Sequence, residues 1–344
     1  MRNLTKADSK NEVFMNTHTN RSRRNILNLL RSYGILITLI VVIIITGIIE
    51  KNFFTVNNFL NILRQVAVIG IVSCGMTFVI ISGAFDLSVG SVVSLSGVIA
   101  ITTINNGGGE LMAIVYALLV GLLVGGANGI LISAINGRMG EAFIVTYGMQ
   151  VVVAALAMYA SGGLFISGKI HQGFYKSLGQ GMSPIVIFLV IAAIMQFVLA
   201  KTRFGRKMCF IGGNINAAKM SGIRVALNRT FYFAISGLLA GIAGIVLTSR
   251  VISSNPAGGI GFETDAIVAV VVGGTSMAGG KGSIMKTILG TITIGVLSNA
   301  LNILNITAYP QMMVKGTIII LAVALDVWNK QAKARELANE KSYA

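Results

Sequence analysis

A chain of 344 residues with 54% hydrophobic and 11% charged side chains is not an ordinary soluble protein, in which about a quarter of the residues carry charge. The formal net charge of +16 does not indicate a nucleic-acid partner, because most of the cations sit in the N-terminal tail, one central loop and the C-terminal tail, as membrane topology requires. Two cysteines supply no disulfide framework, and His18 and His171 are too isolated for a metal cluster or a Ser-His-Asp set. The fold class expected is all-α, a polytopic transmembrane helical bundle of about ten spans.

Residues 1–32 are polar and basic and read as a disordered cytoplasmic tail, too long and polar for the start of a cleaved signal peptide. The membrane domain follows at 33–328. Its first span runs outward from Tyr33 to Ile49, and the second returns from Asn61 to Ser82. Next comes Ser82-Gly83-Ala84-Phe85-Asp86-Leu87-Ser88-Val89-Gly90-Ser91. An acid in apolar sequence costs about 2.5–3.5 kcal/mol on insertion scales, so Asp86 is a functional candidate. It suits the N-cap of the third helix; it also suits a transport pathway, since a broken helix at membrane depth must face protein or water. The two roles are compatible.

The third span ends at Ile104, and the fourth covers Leu111 to Ile135, with Gly121 and Gly125 as a helix-packing pair. The fifth covers Ala142 to Ala160. A Gly-rich external segment precedes the sixth, Pro184 to Ala200. The loop at 201–229 holds seven Lys and Arg residues and no acid, the mark of a cytoplasmic face. Inside it, Gly212-Gly213 reads as a turn and Asn214 as the N-cap of a short helix from Ile215 to Ser221, with Gly222 just past its end. Such a helix suits docking of a cytoplasmic partner; an ordinary positive-inside loop fits equally well.

The seventh span covers Thr230 to Thr248, and a short eighth covers Thr264 to Gly273. The run Gly273 to Ser283 is a second Gly/Ser-interrupted segment that echoes the one around Asp86, and two such breaks in the two halves point to a central pathway. It is not a phosphate loop, because Gly282 stands where Ser or Thr is needed and Thr275 where the first Gly is needed. The ninth span is Ile284 to Ile306 and the tenth Gln311 to Val327, with Trp328 at the interface and a basic cytoplasmic tail at 329–344. This path puts most of the 27 lysines and arginines on one side and both termini in the cytoplasm. Apart from Asp86, the acids lie at span ends or in loops, so no proton relay is evident and uphill transport would draw energy from another chain.

Several motifs together resemble one family. They are Asn61-Ile62-Leu63-Arg64-Gln65, Gly75-Met76-Thr77-Phe78-Val79-Ile80, Asp86-Leu87-Ser88-Val89-Gly90-Ser91, Phe204-Gly205-Arg206, Ile211-Gly212-Gly213-Asn214 with Ala217-Ala218, Ser221-Gly222-Ile223, Asp265-Ala266-Ile267, Val272-Gly273-Gly274-Thr275-Ser276 and Val314-Lys315-Gly316. Over roughly Asn52 to Asp326 the chain resembles the membrane permeases of bacterial ATP-binding-cassette importers for ribose and related monosaccharides. It departs from them at Ala84-Phe85, Ala142 and Ser298-Asn299-Ala300.

The resemblance implies a bacterial inner-membrane location, a second permease copy, cytoplasmic ATPase subunits that bind the ATP, and an extracytoplasmic sugar-binding protein. It implies no catalytic residue, metal or cofactor on this chain. It assigns Gly212, Gly213, Asn214, Asn216, Ala217, Ala218, Ser221 and Gly222 to ATPase coupling. A neutral sugar needs only hydroxyls and amides along its path, so Asp86, Ser88, Ser91, Thr275 and Ser276 are the candidate pathway residues. A nucleoside importer shares this architecture, a secondary carrier would have only Asp86 for its coupling ion, and a non-transporting scaffold would leave uptake intact on deletion.

Overall fold

The computed structural model describes residues 39–137, 139–170, 172–307, 309–318, 320, 321 and 324. Both tails, the start of the first span, Arg138, His171, the end of the tenth span and Trp328 lie outside the described residues. Twelve named helices follow one another: α1 (Leu39–Ile49), α2 (Val56–Ile81), α3 (Val89–Asn105), α4 (Glu110–Ala134), α5 (Met139–Ser161), α6 (Phe174–Gly179), α7 (Ser183–Lys201), α8 (Arg203–Gly213), α9 (Ile215–Met220), α10 (Val225–Val251), α11 (Phe262–Val272) and α12 (Ile284–Ile303), with a further helical stretch over 309–318.

Among the described residues, six of these are long and apolar enough to cross a membrane: α2, α4, α5, α7, α10 and α12. Helices α1 and α3 are apolar but shorter, and α11 has 11 residues, about 16 Å of rise. The bundle is therefore helical and multi-pass, with six full-length apolar helices and several shorter ones among the described residues.

α2 is the central helix. It is apolar on every face, as a helix enclosed by others must be, and it is buried from Val66 through Ile81. Thr55 starts it by accepting the Asn58 amide at 3.3 Å. α10, α12, α7 and α11 pack around it. Near its start the Asn58 and Asn299 side chains exchange two hydrogen bonds, at 3.0 and 2.8 Å, and tie α2 to α12. α4, α5 and α7 instead turn large apolar side chains such as Leu123, Ile144 and Phe197 outward.

The most extensive helix pair is α4 with α10, and glycine makes it possible. A Cβ at Gly121 or Gly125 would overlap the α10 backbone at Gly237 or Phe233, and one at Gly237 would overlap Gly121 in return. The expected packing pair is thus borne out, with Gly237 as its partner. Gly237→Ala is expected to destabilise the bundle by about 1–3 kcal/mol through overpacking. Thermal unfolding in detergent measures this; Gly126→Ala, where the space is open, is the control.

α10 begins at Val225, five residues before the expected seventh span. Arg229, read from sequence as a loop cation, is therefore inside the helix and buried, and its guanidinium donates to the Gly137 carbonyl in the α4–α5 turn. At the opposite end of the bundle the Gly-rich segment 162–182 folds back. β1 (Ile166–Ser167) pairs antiparallel with β2 (Ser253–Ser254), and the α6 hydroxyl of Tyr175 meets Thr248 Oγ1 at 2.6 Å.

Candidate functional site

The basic end of the bundle is built from α8 and α9. α8 is amphipathic: Phe204, Met208 and Ile211 fall on one face, and Met208 and Ile211 are fully buried. Thr202 caps it, its hydroxyl accepting the Gly205 amide at 3.2 Å. Gly212 and Gly213 are the last turn of α8 and not the free turn expected from sequence. Burial pushes the Cys209 thiol up, so it stays protonated at neutral pH.

Asn214 then caps α9 as expected, its Oδ1 accepting the Ala217 amide at 3.0 Å. α9 ends in paired reverse bonds, Gly222 N–H to the Lys219 carbonyl at 3.0 Å and Ile223 N–H to the Ala218 carbonyl at 3.1 Å. Gly222 adopts φ +74°, the left-handed value that glycine reaches without strain. The Ser221 hydroxyl returns to the Ala217 carbonyl at 2.9 Å. Of the residues expected to couple, Ala218 is fully buried and fastens α9 to the body, whereas Asn216 and Ala217 face outward, as does the neighbouring Met220. Met220 is 90% exposed, an unusual position for a large apolar side chain.

The last turn of α8 meets two other segments through bare backbone. A Cβ at Gly212 would overlap the Ile81 carbonyl oxygen at the end of α2 and lie 2.6 Å from the Gly280 nitrogen. Gly280 N–H donates to that same Ile81 carbonyl at 2.8 Å. A Cβ at Gly279 would lie 2.9 Å from the Gly83 Cα and 3.0 Å from the Gly212 oxygen. Gly83, Gly279 and Gly280 have φ of +83°, +81° and +76°. Both glycine-interrupted segments and the last turn of α8 therefore meet in one seam. This meeting is not visible in the sequence, because no side chain carries it. A cavity of about 360 Å³ adjoins the seam, lined by residues that include Gly83, Gly212, Asn214, Asn216 and Ala278.

Asp86 lies just beyond the seam, fully buried. Its Oδ1 accepts the Ser88 amide at 3.1 Å and the Ser88 hydroxyl at 2.7 Å, and Asn128 Nδ2 from α4 lies 3.4 Å from it and 2.8 Å from Ser88 Oγ. α3 starts at Val89 with Ser88 in the N-cap position. Asp86 thus closes an Asx turn two residues ahead of the helix and does not cap it directly, a correction to the capping expected from sequence. Asn128 was readable as a lone amide within the fourth span, but the sequence did not say that it reaches Asp86.

Asp86→Ala removes the acceptor shared by three buried donors and is expected to cost about 1–3 kcal/mol, with Asp86→Asn milder because one acceptor oxygen remains. The yield and thermal stability of the purified variants check the order.

Ser91, at the other end of the same polar run, donates to the Gln150 carbonyl at 2.9 Å. Thr275 is buried, with its Oγ1 unpartnered, and Ser276 is half-buried in the turn closed by its amide to the Lys281 carbonyl at 3.0 Å. The five pathway candidates thus fall in two groups, Asp86, Ser88 and Ser91 on one strip of α3 and its entry, Thr275 and Ser276 in the other break, and none lines the cavity beside the seam.

The family model described as "Branched-chain amino acid transport system / permease component" matches residues 58–323. The ribose import permease protein of Haemophilus influenzae is 41% identical over 296 residues, covering 84% of this chain and 91% of that protein. The ribose import permease protein of Escherichia coli K12 is 37% identical over 302 residues, 85% of this chain and 92% of its own length. The D-allose transport system permease protein of the same organism is 36% identical over 299 residues, 86% and 91% of the two chains. A glycine-locked helical bundle with a short capped helix at its basic end, matched along most of its length, therefore belongs to the family of permease components of branched-chain amino acid transport systems: it is a multi-pass transport subunit and not an enzyme.

Proposed function

We propose that this chain is the membrane-spanning subunit of a bacterial ATP-binding-cassette importer that carries a monosaccharide of the ribose class. The observation that carries the substrate class is the likeness to sugar permeases over more than four-fifths of the chain. In this reading the membrane domain makes about ten spans with both termini in the cytoplasm. A second permease copy, cytoplasmic ATPase subunits and an extracytoplasmic sugar-binding protein complete the machine, and ATP is bound by the ATPase.

The chemistry follows from the parts described. The binding protein delivers a neutral sugar to the end of the bundle that carries α6. ATP-driven closure of the ATPase pair moves α9, whose outward residues Asn216, Ala217 and Met220 make the contact. Movement passes from Gly212 into the end of α2 through the Ile81 carbonyl and into the 273–283 break through Gly279 and Gly280. Both breaks shift together, and the hydroxyls of Ser88, Ser91, Thr275 and Ser276 are offered to the sugar in turn, with Asp86 and Asn128 holding the α3 entry. Glycine at every seam position transmits displacement because backbone pressed on backbone has no rotamer through which to yield.

Ala217→Glu tests the coupling step. Ala217 is exposed, so folding is retained while a charge enters the docking face. The expected result is normal membrane insertion with loss of ATPase-subunit binding and of ribose uptake. Wild-type uptake and pulldown in this variant would remove α9 from the mechanism.

A further inference from the structure

A second cavity, of about 550 Å³, lies between α8 and the start of α10, away from the seam. Its walls include Phe204, Lys207, Gly222, Arg224, Leu227 and Phe231. Two exposed cations face it. Among the described residues no carboxylate pairs with Lys207 or Arg224, the ion pair there being Lys315–Asp265, and the sequence from Lys201 to Arg229 holds no acid.

α10, 27 residues long, opens at Arg224 without a side-chain cap. Its first amides therefore have no intrahelical acceptor, and the positive end of its dipole adds to the two side-chain charges. Asn228, which also lines the cavity, turns its Nδ2 back to the Arg224 carbonyl at 2.8 Å and fixes that first turn.

The remaining wall is apolar. Leu227 and Phe231 lie one helical turn apart, 48% and 52% exposed, at the end of a span. Phe204 is held in place edge-on against Tyr232, ring centroids 4.8 Å apart. A soluble anion would use the charges and leave this wall bare; an amphiphile with an anionic head uses both.

We propose that this cavity binds the headgroup of an anionic phospholipid, with its acyl chains laid along Leu227 and Phe231. The inference rests on the chain spanning a membrane with this end at the lipid headgroups, and is independent of which solute it carries. Bound lipid would fix the angle between α8 and α10, and so the position from which α9 reaches its partner.

The test uses the full chain in mild detergent, with phosphatidylglycerol and phosphatidylcholine as probes and native mass spectrometry as the readout. Wild-type protein is expected to retain phosphatidylglycerol in preference to phosphatidylcholine. The Lys207→Gln/Arg224→Gln double variant is expected to bind it roughly 30-fold more weakly. Lys207→Arg keeps binding, and Lys169→Gln, at the opposite end, leaves it unchanged. Both cations are exposed, so folding is not at stake. Equal retention by the double variant would overturn the proposal. So would displacement of the lipid by millimolar inorganic phosphate, which would make this a soluble-anion site. Unchanged lipid binding with lost ATPase-subunit binding would assign the charges to a protein surface instead.

Discussion

Gly212→Ala is expected to lower uptake by roughly tenfold or more, the kinetic equivalent of about 1.4 kcal/mol. The added methyl falls on the Ile81 carbonyl and 2.6 Å from the Gly280 nitrogen. Neither atom belongs to a flexible side chain, so relief requires α8 and α2 to separate and the Gly280–Ile81 hydrogen bond to open. Overpacking of this kind typically costs about 1–3 kcal/mol, and here the strain falls on the link between α8, which leads into α9, and the spans. Gly213→Ala is the matched control: it is adjacent, but its Cβ direction is open space and its φ is not positive. Uptake in vesicles, normalised to folded protein by size-exclusion yield, separates lost coupling from lost folding. Equal uptake by the two variants would show that the seam transmits nothing.

The second large effect is at Lys315. Its Nζ lies 2.8 Å from Asp265 Oδ2, with the aspartate side chain 8% exposed, and the pair joins the 309–318 helix to α11. Burying two charges gains little net stability, but removing one leaves the other unpaired in an apolar setting, at about 3–5 kcal/mol. Asp265 is already short of partners, since its Oδ1 has none. Lys315→Met is therefore expected to lower the thermal midpoint in detergent strongly. Lys315→Met combined with Asp265→Leu is expected to recover most of the loss. A double variant as unstable as the single one would show that the pair is not the source.

The helical class was readable in the sequence because apolar runs of span length leave no other solution. α9 was readable to within a residue, since Asn214, with Gly222 beyond the helix, encodes both of its ends locally. α8 was overlooked although Phe204, Met208 and Ile211 are spaced for one helical face; the Gly-Gly pair at its end looked like a turn. Gly212 must be glycine because the neighbouring backbone leaves no room for a side chain, a requirement set by residues far away in the chain. Arg229 misled for a related reason. A cation beside a span usually marks a loop, but the Gly137 carbonyl gives this one a buried acceptor, and the helix begins before it. Asp86 was flagged correctly as exceptional, while its partner Asn128 and the Asx turn depend on tertiary placement.

In the proposed function α9 couples this permease to a separate ATP-driven engine. The most direct measurement is purification of the tagged chain from its native membrane, identification of the bound proteins by mass spectrometry, and ribose uptake by the reconstituted sample with and without ATP. The account predicts recovery of an ATPase subunit and uptake that stops when ATP is removed. Recovery of the chain alone, still active without ATP, would contradict it and make Asp86, the one acid set deep at a span break, the first residue to examine as a coupling-ion site.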